Sequence, residues 1–481
     1  YDENSVYVNG LEVHRPLLIR SGQQEGLSFV NADMVESVDF SAGGFDAMYG
    51  DKMSSVLDIR YKRPTQLESH LNISILGASA YLGWGDSLQS QMHGIRYKTS
   101  KYMLGALDTK GNYKPNFLDY QTQMTWKVGK KATGRLGDEA WEIRLMGNFS
   151  QNSYEFMPDS AVKNWGGLDA IEQKIEHEGK EKDMFRTAFV ALSASGKVHP
   201  EVTISADLNG FYTHEQETYD IRTAYVLRQK DMNEANNSGG GYDANGELAT
   251  PDGNKKLLGK GEYHEHARNT LQSGIITLAH NGEWKRGTNT LKWGVSGQVE
   301  MITDRISEWE WRDSLGYSLP NADKEMELYY AMKGTTKMLN GRLQAYAQNT
   351  HHWNTDNGKV YLTAGMRLNY WTFTNEVLPS PRVSIVWMPG WKRDFTFRVA
   401  TGIYYQAPFY KELRQTIQDD KGVYRIHLND KLKAQRSYQL VLGTDYYFRA
   451  WGRPFKFTAE AYGKWIDRME SYTVDNVRVR Y

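Results

Sequence analysis

The sequence predicts an all-β membrane protein built on a large antiparallel transmembrane β-barrel. Two observations carry this: segments of strand length with one apolar and one polar face, repeated along most of the chain, and connections that alternate between short and long. In residues 291–301, Leu291, Trp293, Val295, Val299 and Met301 fall on one side of a strand, and Lys292, Ser296, Gln298 and Glu300 on the other. One such segment is ordinary in a soluble sheet. About a dozen in succession, with almost no helical period between them, describe strands with lipid on one face and water on the other.

The elements follow in order. Residues 1–64 differ from the rest: they are small, Gly-rich and carry short alternating strands such as Ser5–Val8, Val35–Phe40 and Val56–Tyr61, and Pro64 ends the run. From residue 65 onward the strands are long. Clear alternation marks His70–Leu76, Trp141–Phe149, Val202–Tyr212, Leu343–Ala347, Val360–Leu368, Phe395–Tyr405, Tyr438–Phe448 and Phe455–Trp465. Short links fall at His199–Glu201, Arg286–Thr290, Thr355–Gly358, Pro389–Asp394 and Ala450–Pro454. Long ones fall at Met157–Asp183, Arg222–Asn269, Asp313–Thr335 and Tyr410–Gln435. Short turns on one side and long loops on the other are the connectivity of outer-membrane barrels. About fifteen strands are expected here, and a plugged barrel of this class has about 22. Tyr1 falls in mid-domain and the last strand runs outward, so the sequence reads as a piece lacking the start of its first domain and the final strands.

Composition agrees. The 481 residues carry a formal net charge of zero, which gives no signal for nucleic acid. No apolar run reaches the roughly 18 residues that a membrane helix needs. Mean hydropathy is only −0.65, as a barrel allows, because alternate residues meet lipid and loops are polar. The 31 Tyr and 14 Trp suit rings placed at a lipid interface. With no cysteine, thiol catalysis, zinc–thiolate sites and disulfides are excluded.

The first sixty-odd residues resemble the plug of TonB-dependent outer-membrane receptors. Val6-Tyr-Val-Asn9-Gly10 is similar to the family's strand ending in an Asn-Gly turn, and Met34–Phe40 to its "I-E-R-I-E-V" strand. Gly43-Gly44-Phe-Asp-Ala-Met-Tyr49-Gly50 resembles the segment around "A-x-Y-G". Ser54-Ser55-Val-Leu-Asp58-Ile stands where "G-G-V-I-N-I" is usual, with two serines replacing the glycine pair. In the barrel, Leu378-Pro-Ser-Pro-Arg382, Gly402–Tyr410, Lys433–Arg436 and Glu460–Lys464 resemble mid-barrel segments of receptors from Bacteroidetes-type bacteria, without the longer SusC-type plug signature.

The resemblance implies a plug, residues 1–64, inside a barrel, residues 65–481, in the outer membrane of a Gram-negative bacterium. It implies active uptake of a scarce nutrient (siderophore, haem, cobalamin, glycan or peptide) energised by TonB with ExbB and ExbD. Outer-membrane lipid, lipopolysaccharide and a surface lipoprotein are the other partners to expect; no enzyme activity, nucleic acid or cofactor is implied. Polar plug–barrel contacts are expected from Arg20, Glu36, Asp58 and Arg60 toward Glu300, Arg367, Arg398 and Glu460. Trp309, Trp311, Tyr317, Tyr329 and Tyr330 gather around one long connection and are candidates for substrate contact or interface anchoring. His264 with His266, and His351 with His352, lack a spaced third ligand, so no metal site is assigned. The alternative reading is a receptor-like barrel serving as a structural part of a surface or secretion assembly. A polysaccharide-degrading β-protein is disfavoured, because it would carry polar residues on both exposed strand faces.

Overall fold

The computed structural model describes residues 4–14, 29–50, 52–99, 111–129, 131–132, 135–136, 140–165, 171–229, 256–313, 326–418 and 424–469. Among these, no helix is long and apolar enough to cross a membrane. Arg20 and Tyr317 lie outside the described residues.

The first strands form a sheet of their own. It comprises β1 (Asn4–Val8), β2 (Leu11–Glu12), β3 (Val35–Ser41) and β4 (Ser55–Tyr61), in the order β2-β1-β4-β3. Asn9 and Gly10 turn β1 into β2 with φ of 52° and 82°. Positive φ at both central residues matches the twist of a tight hairpin, which is why Asn-Gly serves there.

The remaining strands form one sheet: β5 (Glu68–Ser74), β6 (Gly77–Gly85), β7 (Gln89–Thr99), β8 (Gly111–Val128), β11 (Trp141–Pro158), β13 (Ile171–His199), β14 (Val202–Gln229), β15 (Lys256–Arg286), β16 (Asn289–Arg312), β17 (Glu327–Thr355), β18 (Gly358–Trp371), β19 (Glu376–Pro389), β20 (Asp394–Gln406), β23 (Gln435–Ala450) and β24 (Arg453–Asp467). A two-strand hairpin, β9 (Lys131–Ala132) and β10 (Arg135–Leu136), stands apart. Eighteen segments are arranged in sequence as a barrel among the described residues; three of them, β12 (Ala161–Trp165), β21 (Arg414–Gln418) and β22 (Tyr424–Leu428), are short rim strands, which leaves fifteen in the wall. Each wall strand is antiparallel to its neighbours from β5 through β24. The seam falls between β24 and β5. No ladder register joins them among the described residues, and both are exposed along most of their length.

Alternation separates two environments. On β16, Val295, Val299 and Met301 point away from the barrel axis and are 54%, 45% and 45% exposed. Their neighbours turn inward: Ser296 donates to Gln344 at 3.4 Å, and Glu300 accepts from Asn340 at 3.4 Å. Exposed leucines and valines cover the outer face of the adjacent strands, including Leu278, Leu339, Leu343 and Leu368. In water this band would be a liability; in lipid it is the solvated surface. At the short-turn end, rings from β19, β20, β23 and β24 form a continuous ladder. Phe395 stacks on Tyr446 at 4.4 Å, Tyr446 on Phe448 at 5.1 Å, and Phe448 on Phe455 at 5.5 Å. Such a girdle fits the polar edge of a bilayer.

Three expectations change in extent. β13, β14 and β15 run through much of what the sequence assigns to loops at 157–183 and 222–269, and β17 already begins at Glu327, inside the loop assigned to 313–335. The pairing continues past the apolar band, and at Glu176–Lys182 both faces are polar, so no alternation marks the strand there.

Candidate functional site

The N-terminal sheet sits inside the barrel and meets the wall on two sides. Against β6 to β15 the contact is largely apolar. Val8, Leu11, Val13, Phe29, Met34 and Ile59 share one buried cluster with the wall residues Tyr81, Met92, Met146, Phe189, Phe211 and Ile275. Phe29 meets Phe189 edge-on at 6.0 Å. Polar contacts fringe this flank: Asn9 Nδ2 donates to Gln123 at 2.6 Å, and Arg96 Nη1 donates to the Val30 carbonyl at 2.9 Å.

Against β17 to β24 the contact is made mainly by hydrogen bonds onto the turn Gly43–Gly50, around a small buried cluster in which Phe45 meets Tyr404 at 4.6 Å. Arg382 Nη1 donates to the carbonyls of Asp46 and Tyr49, both at 2.6 Å, and its guanidinium lies 4.3 Å from the Tyr404 ring and 4.9 Å from the Phe45 ring. Arg367 Nη1 donates to the Met48 carbonyl at 3.2 Å. Gln348 accepts from the Met48 amide at 3.3 Å and donates to Asp46 at 3.2 Å. Gln439 holds the Gly44 amide and the Met53 carbonyl, and Lys464 Nζ donates to the Ser54 carbonyl at 3.2 Å. Two planar guanidiniums with several donors each suit clustered carbonyls. The glycines permit the approach. A Cβ on Gly50 would stand 2.1 Å from Arg367 Nε, and one on Gly44, whose φ is +64°, would stand 2.5 Å from the Ala400 Cβ.

An antiparallel barrel with an outward apolar band, enclosing a small sheet gripped from both sides, limits the choice of family. The family model described as TonB dependent receptor-like, β-barrel, matches residues 186–479, more than half of the chain. The chain belongs to this family. No curated protein sequence matches it. Its fold is similar to that of a mutant ferric enterobactin receptor, PfeA, from Pseudomonas aeruginosa, with TM-score 0.54 and 16% identity over 92% of this chain and 61% of that one. It is also similar to FpvA of P. aeruginosa bound to a heterologous pyoverdine with iron, with TM-score 0.51 and 10% identity over 96% of this chain and 56% of that one. The RagAB peptide importer matches with TM-score 0.51 and 9% identity over 96% of this chain and 61% of that one. The chain thus spans less than two thirds of these receptors.

In this receptor-family chain the residues that resemble the plug signature divide between the flanks, Asn9 toward β8 and Gly43, Gly44, Gly50 and Ser54 toward β17 to β24. Tyr49 Oη donates to Asp58 at 2.7 Å, and its ring meets Tyr7 at 5.1 Å. Burial and the Asp58 carboxylate push the Tyr49 phenol well above its usual range, so it stays a donor. Ser55 Oγ donates to Asn4 at 2.7 Å. Of the residues expected to join sheet and wall, Arg367 reaches the inner sheet. Asp58 is held within the sheet by Tyr49, while Glu36 and Arg60 are exposed. Glu300 meets Asn340, and Arg398 pairs with Asp445 at 2.9 Å and Glu460 at 3.3 Å along the wall. Sequence reasoning missed Arg382, Gln348, Gln439 and Lys464 as contacts, although Arg382 and Lys464 lie in segments that resemble the family. It also missed the apolar flank.

The aromatic candidates do not converge. By alternation from Met301, Trp309 and Trp311 face outward, and Trp309 stacks on His266 at 4.7 Å. His264 and His266 share Asp220, at 2.6 and 3.3 Å. Among the described residues no group of three ligating side chains is placed to hold a metal. Tyr330 meets Tyr424 of β22 at 5.1 Å, and Tyr329 lies under the Arg312 guanidinium at 3.6 Å. His14 lies edge-on to Phe211 at 5.7 Å. Burial holds it below the usual histidine range, with Arg342 and Lys52 acting in the same direction and Glu12 and Glu300 opposing.

Proposed function

We propose that the chain is the plug-and-barrel portion of a TonB-dependent transporter in the outer membrane of a Gram-negative, Bacteroidetes-type bacterium. Its work is the active uptake of a scarce nutrient: a siderophore, haem, cobalamin, a glycan or a peptide. The short turns face the periplasm and the long connections face outward. Residues 1–64 are plug and residues 65–481 are barrel wall. The supporting observation is the inner sheet, bonded to opposite walls of a ring whose outer face is apolar. TonB, with ExbB and ExbD, pulls on the plug from below, and the hydrogen-bonded turn Gly43–Gly50 yields before the apolar flank. Water can replace each lost donor at the turn, whereas apolar surface exposed on the other flank has no substitute partner. Outer-membrane lipid and lipopolysaccharide surround the wall, and a surface lipoprotein is the partner to seek at the mouth. The test is deletion of the TonB-binding segment in the complete protein, with cargo binding and uptake measured separately. Uptake is expected to be lost while binding is retained. Uptake that persists contradicts energised transport.

A further inference from the structure

The connection between β20 and β23 turns back into the mouth of the barrel. Ala407, Tyr410 and Leu413, on and beside the short helix α1 (Tyr410–Leu413), are buried with Ile302, Met338 and Trp371 of the wall. Ile302 and Met338 sit on the inward positions of β16 and β17, so the segment occupies the lumen. Tyr410 Oη donates to Asp304 Oδ2 at 2.9 Å, Arg414 Nη1 donates to the same oxygen at 3.3 Å, and Lys411 Nζ donates to Glu215 at 2.8 Å. Glu412 accepts from the Phe409 amide at 2.8 Å and closes the first turn. Below, Lys52 of the inner sheet region lies 4.1 Å from the centre of the Phe409 ring. One short segment therefore touches β14, β16 and the chain beside the plug.

Its chemistry is that of a guest. A phenol and two cations are set against carboxylates supplied by strands about 100 and 200 residues away. Among the described residues, the inward positions of β14 and β16 at this level also carry Glu217 and Glu308, which share Asn269, and Glu310, which pairs with Arg312. A helix of four residues has no stability of its own; these contacts hold it. We propose that Phe409–Arg414 is an internal stand-in for cargo, and that the cargo is a cationic molecule with an aromatic group, such as a Lys/Arg-rich peptide, which displaces the segment from Asp304 and Glu215. This rests on the transport reading and adds the substrate class and its gate. Displacement lifts Phe409 off Lys52, so occupancy of the mouth is passed to the plug region through a contact already in place.

The experiment uses the complete protein, purified in detergent, where binding needs no energy coupling. These residues include no cysteine, so Tyr410→Cys with Thr336→Cys, whose side chains meet, places two thiols across the contact and leaves the Asp304 and Glu215 carboxylates in place. They are either bridged by a short bis-maleimide or capped singly with N-ethylmaleimide. The probes are a fluorescent octapeptide rich in Lys and Arg with one Tyr, and its Glu-rich counterpart. The capped protein is expected to bind the basic peptide at least about tenfold more tightly than the bridged protein, and more tightly than it binds the acidic one. Equal binding by bridged and capped forms overturns the gate, and failure to prefer the basic peptide overturns the cargo class. Loss of uptake on removing the TonB-binding segment leaves both results unchanged, so this proposal and the transport reading fail separately.

Discussion

The two flanks of the inner sheet are held by different physics. Toward β6–β15, Phe29, Met34 and Leu11 pack into Phe189, Phe211 and Met92, and the contact works by excluding water. Toward β17–β24, Arg382 and Arg367 donate to carbonyls of one turn, Gln348 and Gln439 accept from its Met48 and Gly44 amides, and only the small Phe45–Tyr404 contact is apolar. The first kind of contact is lost all at once when the surfaces part. The second exchanges stepwise with water, since each bond contributes only about 1 kcal/mol net when solvent can replace it. Under the proposed transport reading the inner sheet has to stay in place and still move, and the difference between its flanks gives the side on which movement would begin.

The largest effect is expected on the apolar flank. Phe189→Ala should cost about 3–5 kcal/mol through the cavity it leaves, read as a lower urea midpoint for release of the inner sheet. A silent Phe189→Ala would break the comparison. On the other flank, Arg382→Met keeps bulk but strips donors from the carbonyls of Asp46 and Tyr49; about 2 kcal/mol is expected, with increased proteolysis confined to Gly43–Gly50. Gly50→Ala should cost roughly 1–3 kcal/mol by overpacking against Arg367, and Gly50→Ala combined with Arg367→Ala should recover part of that loss. The smallest effect is the pH response of His14. Its folded pKa lies below the ordinary value of 6.5, so its contribution is fully present above that value. It is lost as pH falls through the range beneath, where the released sheet takes up a proton that the packed sheet excludes. His14→Gln should flatten that part of the stability profile.

The barrel was legible wherever lipid touched one face. Leu291–Met301 and Phe455–Trp465 declare their strands because apolar and polar residues alternate without interruption. The extension of β13 was not legible, because Glu176–Lys182 carries polar residues on both faces while the backbone goes on pairing. The apolar flank left a trace: in Phe189-Val190-Ala191-Leu192 both faces become apolar at once, which marks a wall strand touching something dry inside. The grip on Gly43–Gly50 left only the glycines, since a cradle of donors from strands some 300 residues away has no local pattern. The inward turn at Phe409–Arg414 reads as a loop in sequence and acquires meaning only when Asp304 and Glu215 stand opposite.

Hydrogen exchange of the membrane-embedded protein in rising urea tests the central claim most directly. The amides of Gly44 and Met48, bonded to Gln439 and Gln348, should exchange at lower urea than the amide of Met34, bonded to the Asn31 carbonyl beside the apolar cluster. Exchange in the reverse order, or all three amides opening together with the barrel strands, would contradict a stopper that loosens from its hydrogen-bonded side.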